Sequence, residues 1–337
     1  MTRRLAEVAS RVGVSEATVS RVLNGRPGVS DATRQAVLTA LDVLGYERPS
    51  QLRGVRARLV GLVLPELQNP IFPALAEVVG GALVQLGYTP VLCTRSAGGL
   101  TEAEYVTMLL DQQVSGVVFC GGLSAEEHRQ LLDRGVPVVL LNAAVDHVGF
   151  PQVSTDDGSA VEQAFAHLRA LGHRRIALMV GAQEHIPSQR KIAAFTALAD
   201  RTGLEAAGRI GHALFSFEGG QATAGELLKA GATALICGSD ILALGAIRAA
   251  RRAGLDVPGD VSVIGYDDSA FMNYTDPPLT TLRQPIDAMA KAAVALLVNQ
   301  VQGGPPTPKE LLHAPELVVR GSTAPARVRA EQEPNRG

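Results

Sequence analysis

The chain has 337 residues, of which 46% are hydrophobic, and it carries a formal net charge of −2 at pH 7. This length and apolar content allow two buried cores beyond a small N-terminal domain. No apolar run approaches the ~18 residues of a membrane span, and the N-terminus lacks the apolar segment of a signal peptide. Three scattered cysteines are typical of reduced thiols, so the composition favours a cytoplasmic protein over a secreted or membrane protein.

Residues 1–47 show the hydrophobic spacing of three short helices. Gly13 supplies the turn between the first two, because a left-handed backbone costs glycine little. Ser15 and Ser30 stand where the N-caps of the second and third helices are expected, and Gly45 ends the third. The pattern predicts a helix-turn-helix domain, with a helical bundle of another role as the alternative. The inner faces are Leu5, Val8, Ala9 and Val12; Val19, Val22 and Leu23; and Val37, Leu41 and Leu44.

Charge is distributed unevenly along the chain. Residues 1–60 carry ten arginines against five acidic residues, whereas the remaining chain carries 21 basic and 28 acidic residues. Neutralisation of phosphate charge supplies most of nonspecific DNA binding. A basic head on an acidic body therefore favours a DNA-binding domain over an ordinary helical bundle.

The stretch from Leu5 to Tyr46 resembles the DNA-binding head of the lactose- and purine-repressor (LacI/GalR) family. The motifs that carry the resemblance are Val14-Ser15, Thr18-Val19-Ser20-Arg21-Val22-Leu23-Asn24 and Gly45-Tyr46. It implies that Glu16, Ala17 and Arg21 read bases. Arg21 can donate to both O6 and N7 of a guanine, Ala17 offers a methyl contact, and Glu16 can accept from a cytosine amine. The other expected DNA contacts in the head are Leu5 and the phosphate-binding residues Ser15, Thr18, Ser20 and Asn24.

Residues 48–58 form a hinge or linker that is shorter than the family's common form. Family members usually form a short helix here that inserts a leucine into the minor groove. The resemblance therefore implies Leu52 as the inserted residue, with Val55 as second choice, and Arg53 and Arg56 beside it on the DNA. Gly54 weakens such a helix by ~1 kcal/mol relative to alanine, so a flexible basic linker stays an open alternative.

From residue 59 onward, apolar runs alternate with amphipathic helices. This rhythm predicts parallel sheets with helices on both faces, and two similar halves of ~120 residues predict two lobes. The predicted strands are 59–64, 89–94, 117–119, 138–141, 150–154, 176–180, 234–237 and 261–264. The predicted helices are 72–86, 102–110, 126–132, 159–171, 189–201, 219–229 and 241–253.

The family resemblance extends through this body. It implies an α/β, two-lobed fold similar to the periplasmic sugar-binding proteins (type I), with chain crossings near 152–155, 282–285 and 312–316. We expect an effector-binding and dimerisation domain over 59–323, and a disordered tail over 324–337. The first lobe is expected at about 59–152 and 285–312, and the second at about 153–282 and 315–323. The motifs are Asn69-Pro70-Ile71-Phe72, Thr155-Asp156-Asp157-Gly158, Leu171-Gly172-His173-Arg174-Arg175-Ile176-Ala177, Gly265-Tyr266-Asp267-Asp268, Leu279-Thr280-Thr281-Leu282 and Pro315-Glu316-Leu317-Val318-Val319-Arg320-Gly321-Ser322-Thr323.

A ligand site is expected where the two lobes face each other, because ligands of open α/β sheets bind beyond the carboxyl ends of the strands. Carboxylates, amides and a cation around aromatic rings suit a polyhydroxylated ligand. This sequence departs from the family pattern at two positions: Lys191 stands where the family usually has an arginine, and Ser239 stands where it usually has an asparagine. Arg190 is the alternative cation if its helix is rotated. The expected effector-binding residues are Asn69, Ile71, Phe72 and Asn142 in the first lobe, and His185, Lys191, Phe215, Ser239, Asp240 and Asp267 in the second.

The sequence contains no GxxxxGK phosphate loop, GxSxG elbow, CxxC or HExxH motif, which predicts neither an enzyme nor a cofactor or metal site. The resemblance implies a cytoplasmic, nucleoid-associated homodimer that binds a near-palindromic double-stranded operator. We expect a repressor of a carbohydrate-catabolic operon, controlled by a sugar-like effector, with its dimer interface on the apolar face of the 72–86 helix and its counterpart in the second lobe. A purine- or nucleoside-type corepressor, a family activator and a solute-binding protein stay open alternatives.

Overall fold

The computed structural model divides the chain into two units, residues 1–59 with 87–89 and the remainder. The residues that the structure describes are 2–23, 28–44, 58–94, 100, 102–121, 131, 133–143, 149–183, 185–204, 209–305 and 310–327.

The N-terminal head consists of helices α1 (Thr2–Val12), α2 (Glu16–Leu23) and α3 (Asp31–Val43), as the hydrophobic spacing predicts. Their buried residues form one small core that includes Val8, Val19, Val22 and Val37. Gly13 adopts a φ of 73°, the left-handed turn for which glycine is suited. Ser15 Oγ accepts a hydrogen bond from the Thr18 amide at 3.1 Å, and Ser30 Oγ accepts one from the Thr33 amide at 3.2 Å. Gly45, the predicted end of the third helix, lies outside the described residues.

From residue 59 onward, strands and helices alternate. The strands are β1 (Leu59–Leu64), β2 (Thr89–Thr94), β3 (Gly116–Cys120), β4 (Val138–Leu141), β5 (Gln152–Thr155), β6 (Ile176–Val180), β7 (Ile210–His212), β8 (Ala234–Cys237), β9 (Ser262–Asp267), β10 (Thr280–Arg283), β11 (Glu310–His313) and β12 (Glu316–Val318). Within the described ranges, the helices are α4 (Ile71–Gln85), α5 (Glu102–Asp111), α6 (Asp157–Ala170), α7 (Ile186–Thr202), α8 (Phe217–Lys229), α9 (Asp240–Arg252) and α10 (Ile286–Val301). The predicted helix 126–132 lies almost entirely outside the described residues.

The strands form two six-stranded sheets, one for each lobe. The order is β11-β5-β4-β3-β1-β2 in the first sheet and β12-β10-β9-β8-β6-β7 in the second. Strands β11, β5, β4, β3 and β1 pair in parallel, and so do β7, β6, β8, β9 and β10. Strand β12 pairs antiparallel to β10. The predicted two-lobed α/β fold with parallel sheets is therefore confirmed, with one antiparallel edge strand.

The chain passes between the lobes at three connections. Strand β5 lies entirely in the first sheet, so residues 153–155, which we assigned to the second lobe from the sequence, belong to the first. The three connections are hydrogen-bonded to one another. The Asp156 amide donates to the His313 carbonyl at 2.8 Å, and Thr155 Oγ1 donates to Gln284 Oε1 at 2.6 Å. A small hinge between the lobes thus has a defined hydrogen-bond network.

The apolar face of α4 lies inside the first lobe and not at a free surface. Leu75, Val79 and Leu83 are fully buried, and α4 packs against α10. These three buried residues therefore cannot form the expected dimer interface, because they pack inside the lobe, where α10, which the sequence analysis did not predict, contacts α4. The place of the dimer interface stays a prediction. Val84 and Leu86 near the end of α4 are about half exposed.

The C-terminal residues 324–327 are ordered, which corrects the prediction of a disordered tail from residue 324. The Ala324 amide donates to Ser262 Oγ at 3.0 Å, and the Ala326 amide donates to the Leu171 carbonyl at 2.8 Å. The buried His173 joins the same network, since its Nε2 lies 2.9 Å from Ser262 Oγ. These hydrogen bonds satisfy backbone groups of the segment and hold it in place. Hydrophobic periodicity in the sequence gives no sign of them.

The buried histidine network predicts a pH dependence of stability. Burial lowers the pKa of His173 below its ordinary value of 6.5. The unfolded chain then binds protons more readily, so the free energy of unfolding falls as the pH drops below about 6.5. We expect urea titrations to show this loss, and to show a smaller loss for His173→Gln. Buried carboxylates contribute a slope of opposite sign in both proteins, so the difference between them isolates His173. Equal losses would contradict the prediction.

The cysteines, possible membrane spans and possible metal sites were considered in the sequence, and the structure bears on each. Cys93, Cys120 and Cys237 are buried free thiols, as expected of core residues. Among the helices that the structure describes, none is both long and apolar enough to cross a bilayer. The described ranges also contain no group of three or more side chains arranged to hold a metal ion.

Candidate functional site

A cavity of about 580 Å³ lies between the lobes, and strand ends of both sheets line it. Strands β1, β3 and β4 of the first sheet end directly before the lining residues Pro65, Gly121 and Asn142. In the second sheet, β6 and β8 end directly before Gly181 and Gly238. The parallel strands of each sheet therefore deliver their carboxyl ends to one space, as an open α/β architecture requires.

The structure brings nine of the ten expected effector-binding residues to this cavity. Asp240 is the exception. Its carboxylate is buried and accepts hydrogen bonds from Thr281 Oγ1 at 2.6 Å and from the Ser269 amide at 2.7 Å. It is the first residue of α9, so it follows a strand end without lining the cavity, and it supports the turn after Asp267. The nine lining residues are Asn69, Ile71, Phe72, Asn142, His185, Lys191, Phe215, Ser239 and Asp267.

A buried ion pair forms one wall of the cavity. Lys191 Nζ contacts Asp157 Oδ1, and both side chains are less than a tenth exposed. The ammonium also lies 4.1 Å from the centroid of the Tyr266 ring, and the Tyr266 hydroxyl donates to Asp157 Oδ1 at 2.9 Å. The lysine charge is thus balanced within the second lobe. Arg190, the alternative cation, is bonded to Glu310 and is not among the lining residues.

Asp267 lines the cavity with a buried carboxyl group. Its Oδ1 accepts a hydrogen bond from Gln284 Nε2 at 2.6 Å, whereas its buried Oδ2 has no partner among the described residues. Burial and the neighbouring Asp240 carboxylate raise the pKa of Asp267 well above its ordinary value. A buried polar atom without a partner is costly, so a ligand hydroxyl at Oδ2 would be stabilised.

His185 and Phe215 form a second feature of the cavity wall. The two rings meet edge to face, with centroids 6.4 Å apart and an interplanar angle of 73°. His185 Nδ1 is buried without a partner in the described part of the chain. Burial, followed by the charge of Lys191, lowers the pKa of His185, which favours the neutral ring. Gly181 makes room for Phe215, since a Cβ there would lie 2.2 Å from the Phe215 ring.

Asp157, Tyr266 and Gln284 also line the cavity, and the sequence analysis did not assign them to it. Gln284 follows β10 directly, and Asp157 follows β5 by two residues. The rule of strand ends could have found both, but β10 was not predicted and β5 was predicted to end earlier. Tyr266 lies inside β9, where alternation along the strand turns its side chain towards Asp157.

The second candidate surface is the outer face of α2. Glu16, Ala17 and Arg21 are exposed, whereas Val19 and Val22 on the opposite face are fully buried. The three expected base-reading residues therefore share the free side of this helix. Ser15 is exposed, and Thr18 and Ser20 are half-buried. Four expected DNA contacts lie outside the described residues: Asn24, Leu52, Arg53 and Arg56. Of Leu5, only the backbone is described.

A helix-turn-helix head with a free recognition face and a two-lobed body around a polar cavity define the class of ligand-responsive DNA-binding proteins. Two family models match the chain. The model for bacterial regulatory proteins of the lacI family matches residues 4–49, and that for a periplasmic binding protein-like domain matches residues 165–323. The HTH-type transcriptional regulator MalR of Streptomyces coelicolor is 52% identical over 97% of this chain and 98% of its own length. The chain belongs to the lacI family of bacterial transcriptional regulators.

Solved structures give the same assignment. The transcriptional regulator CelR in complex with cellobiose is 32% identical, covers 94% of this chain and 99% of its own, and superimposes with a TM-score of 0.72. The lac repressor dimer bound to operator and the anti-inducer ONPF is 28% identical, covers 94% and 98% of the two chains, and has a TM-score of 0.71. The resemblance noted in the sequence is therefore confirmed over nearly the whole chain.

Proposed function

We propose that this regulator is a homodimeric repressor whose affinity for a near-palindromic operator is controlled by a neutral sugar. The observation that carries the proposal is the cavity, whose lining combines aromatic rings from both lobes with Asp267, a residue whose Oδ2 has no partner among the described residues. Its volume of about 580 Å³ lies within the usual range for small-molecule sites. The cellobiose complex of a relative with the same fold supports a sugar as the effector class.

The charges around the cavity favour a neutral ligand. Lys191 is already paired with Asp157, so no uncompensated cation in this part of the wall attracts a phosphate or carboxylate. Asp267 and His185 offer hydroxyl groups polar atoms that have no partner among the described residues, and Phe72 and Phe215 offer apolar faces to C–H groups. A molecule with many hydroxyls and apolar ring faces satisfies both kinds of group.

A thermal-shift screen of the full-length protein tests this effector class. Monosaccharides, disaccharides, nucleosides and purines are added separately, and binding to the native state raises the melting temperature. We expect the shift with a neutral sugar. A shift only with a nucleoside or purine would replace this proposal by a corepressor-type regulator.

The exposed face of α2 is proposed to contact the operator. The operator is proposed to lie in chromosomal DNA in the cytoplasm. One recognition helix reads only a few base pairs, so useful specificity needs two heads and a two-fold-related site. The operator-bound dimer of the lac repressor, whose fold this chain shares, supports that arrangement. A helix-turn-helix head is not needed by a solute-binding protein.

A reporter placed behind the operator separates repressor from activator, and repression is expected.

Arg21→Ala is expected to weaken operator binding by ~1–3 kcal/mol and to relax the preference at one base pair. Arg21 is exposed on α2, and its guanidinium can pair with both acceptors of a guanine. Selection of binding sites from random duplexes by both proteins measures the preference. Arg252→Ala, which removes an exposed arginine from the second lobe, is the control. An unchanged base preference for Arg21→Ala would remove Arg21 from the base-reading set.

A further inference from the structure

A two-pronged ion pair joins the two lobes outside the cavity. Arg190 Nη1 donates to Glu310 Oε1 at 2.6 Å, and Nη2 donates to Glu310 Oε2 at 2.7 Å. Arg190 belongs to α7 of the second lobe, and Glu310 is the first residue of β11 at the edge of the first sheet. The side chains are 31% and 21% exposed. Such bidentate, partly buried pairs are stronger and more specific in geometry than ordinary surface pairs.

The other recorded ion pairs have a different placement. Lys191–Asp157, Arg283–Glu316 and Arg320–Asp268 each join residues of the second lobe, as do the remaining pairs recorded for the described ranges. Among the ion pairs within those ranges, Arg190–Glu310 is therefore the one that joins the two lobes and would be broken if they moved apart.

Arg190 and Glu310 are each connected to the cavity or to the hinge. Arg190 is adjacent to Lys191, and His185, Ser188 and Lys191 at the start of α7 line the cavity. Glu310 pairs with Gln152 in the ladder between β11 and β5, which ends at the hinge pair His313 and Thr155. A change in lobe separation would therefore move one partner of the ion pair relative to the other.

We propose that the Arg190–Glu310 pair is a clasp that stabilises the arrangement of the lobes in this structure, here called the closed arrangement, and thereby sets the affinity for the effector. This rests on the proposed function, since it takes the cavity as the effector site. A ligand that contacts Asn69 and Phe72 on one side and Asp267 on the other stabilises the same closed arrangement. Interactions formed only in the closed state add to the stability of the ligand-bound state, because binding shifts the population towards it.

The pair is ionised under ordinary conditions. Burial by itself raises the pKa of Glu310, but the hydrogen bonds from Arg190 and Ser154 and the guanidinium charge outweigh it, so the pKa lies below its ordinary value. Because the pair is partly exposed, added salt should weaken the clasp.

A double-mutant cycle on the full-length protein tests the clasp. Arg190→Gln and Glu310→Gln are each expected to weaken binding of the sugar found in the screen by ~3–10-fold, measured by calorimetry, since a partly exposed pair is worth little more than a surface one. The double Gln variant should be no weaker than either single one, and Arg190→Glu combined with Glu310→Arg should recover affinity. The matched control is Glu316→Gln, which breaks the pair with Arg283 inside the second lobe and should leave affinity unchanged.

A second measurement needs no ligand. Spin labels on Gln112→Cys in the first lobe and Arg252→Cys in the second report the distance between the lobes, with labelled subunits diluted into unlabelled protein. We expect a longer or broader distance distribution in Arg190→Gln and Glu310→Gln, and no change in Glu316→Gln. Unchanged distances, or additive losses of affinity in the cycle, would overturn the clasp. If the wild-type protein binds no sugar, the proposed effector class fails, while the distances still decide whether the clasp exists.

Discussion

Lys191→Met is expected to lower the free energy of unfolding of the two-lobed body by ~3–5 kcal/mol, because it leaves a buried carboxylate without its cation. Asp157 and Lys191 are both less than a tenth exposed, and within the described residues the side-chain hydrogen bond left to Asp157 would be that from the Tyr266 hydroxyl. Methionine keeps much of the volume of the lysine stem. Urea titration of the full-length protein measures the loss.

The control for this prediction removes both charges. In the Asp157→Asn, Lys191→Met double variant no buried charge is left unpaired, so we expect it to be more stable than Lys191→Met alone. A single variant as stable as the wild type would show that the ion pair adds nothing that methionine cannot replace. Equal destabilisation in the single and double variants would point to lost packing and not to lost pairing.

Asp267→Asn is expected to weaken effector binding by ~10–100-fold, since leaving a buried hydrogen-bonding group without a suitable partner costs about 1–3 kcal/mol. The substitution replaces a carboxyl oxygen, which as a hydroxyl can both donate and accept, by an amide nitrogen that can only donate, at nearly the same volume. Operator binding without effector is expected to stay intact, because Asp267 lies in the body and not in the head. Calorimetry gives the first quantity and a gel shift the second.

The same variant should differ from the wild type in its pH dependence. Burial raises the pKa of Asp267 well above the ordinary value of 3.8. The native state then holds a proton that the unfolded chain releases, so the wild type loses stability as the pH rises above about 3.8. Asp267→Asn lacks this loss and should be at least as stable as the wild type at neutral pH. Unchanged effector affinity with lower stability would assign Asp267 a purely structural role.

Periodicity predicted strands such as β1, β2, β4, β6 and β8 to the residue, because they are short apolar runs bounded by turn residues. It failed for β7, β10, β11 and β12. These strands are three or four residues long, and β10, β11 and β12 lie at the connections between lobes, where pairing depends on tertiary approach. Helix α10 was not predicted. Because α10 packs against α4, the burial of the apolar face of α4 inside the lobe was not predicted either.

The cavity was largely predictable, whereas its electrostatics were not. Strand ends located Asn142, Ser239 and Asp267 because parallel strands all point their carboxyl ends to one edge. The pairing of Lys191 with Asp157, 34 residues away, follows from the packing of α6 against α7. Likewise, Arg190 was considered as a ligand for the effector, but its side chain reaches Glu310, 120 residues away in sequence.

The central proposal is that a sugar in the body and an operator at the head affect each other's binding. Fluorescence anisotropy of the full-length protein on a duplex selected from random sequences, with and without the sugar found by thermal shift, tests it most directly. We expect operator affinity to change by ~5–150-fold, and sugar affinity to change by the same factor when operator is present. No preference for any duplex over random competitor at moderate salt, or identical titrations with and without the sugar, would contradict it.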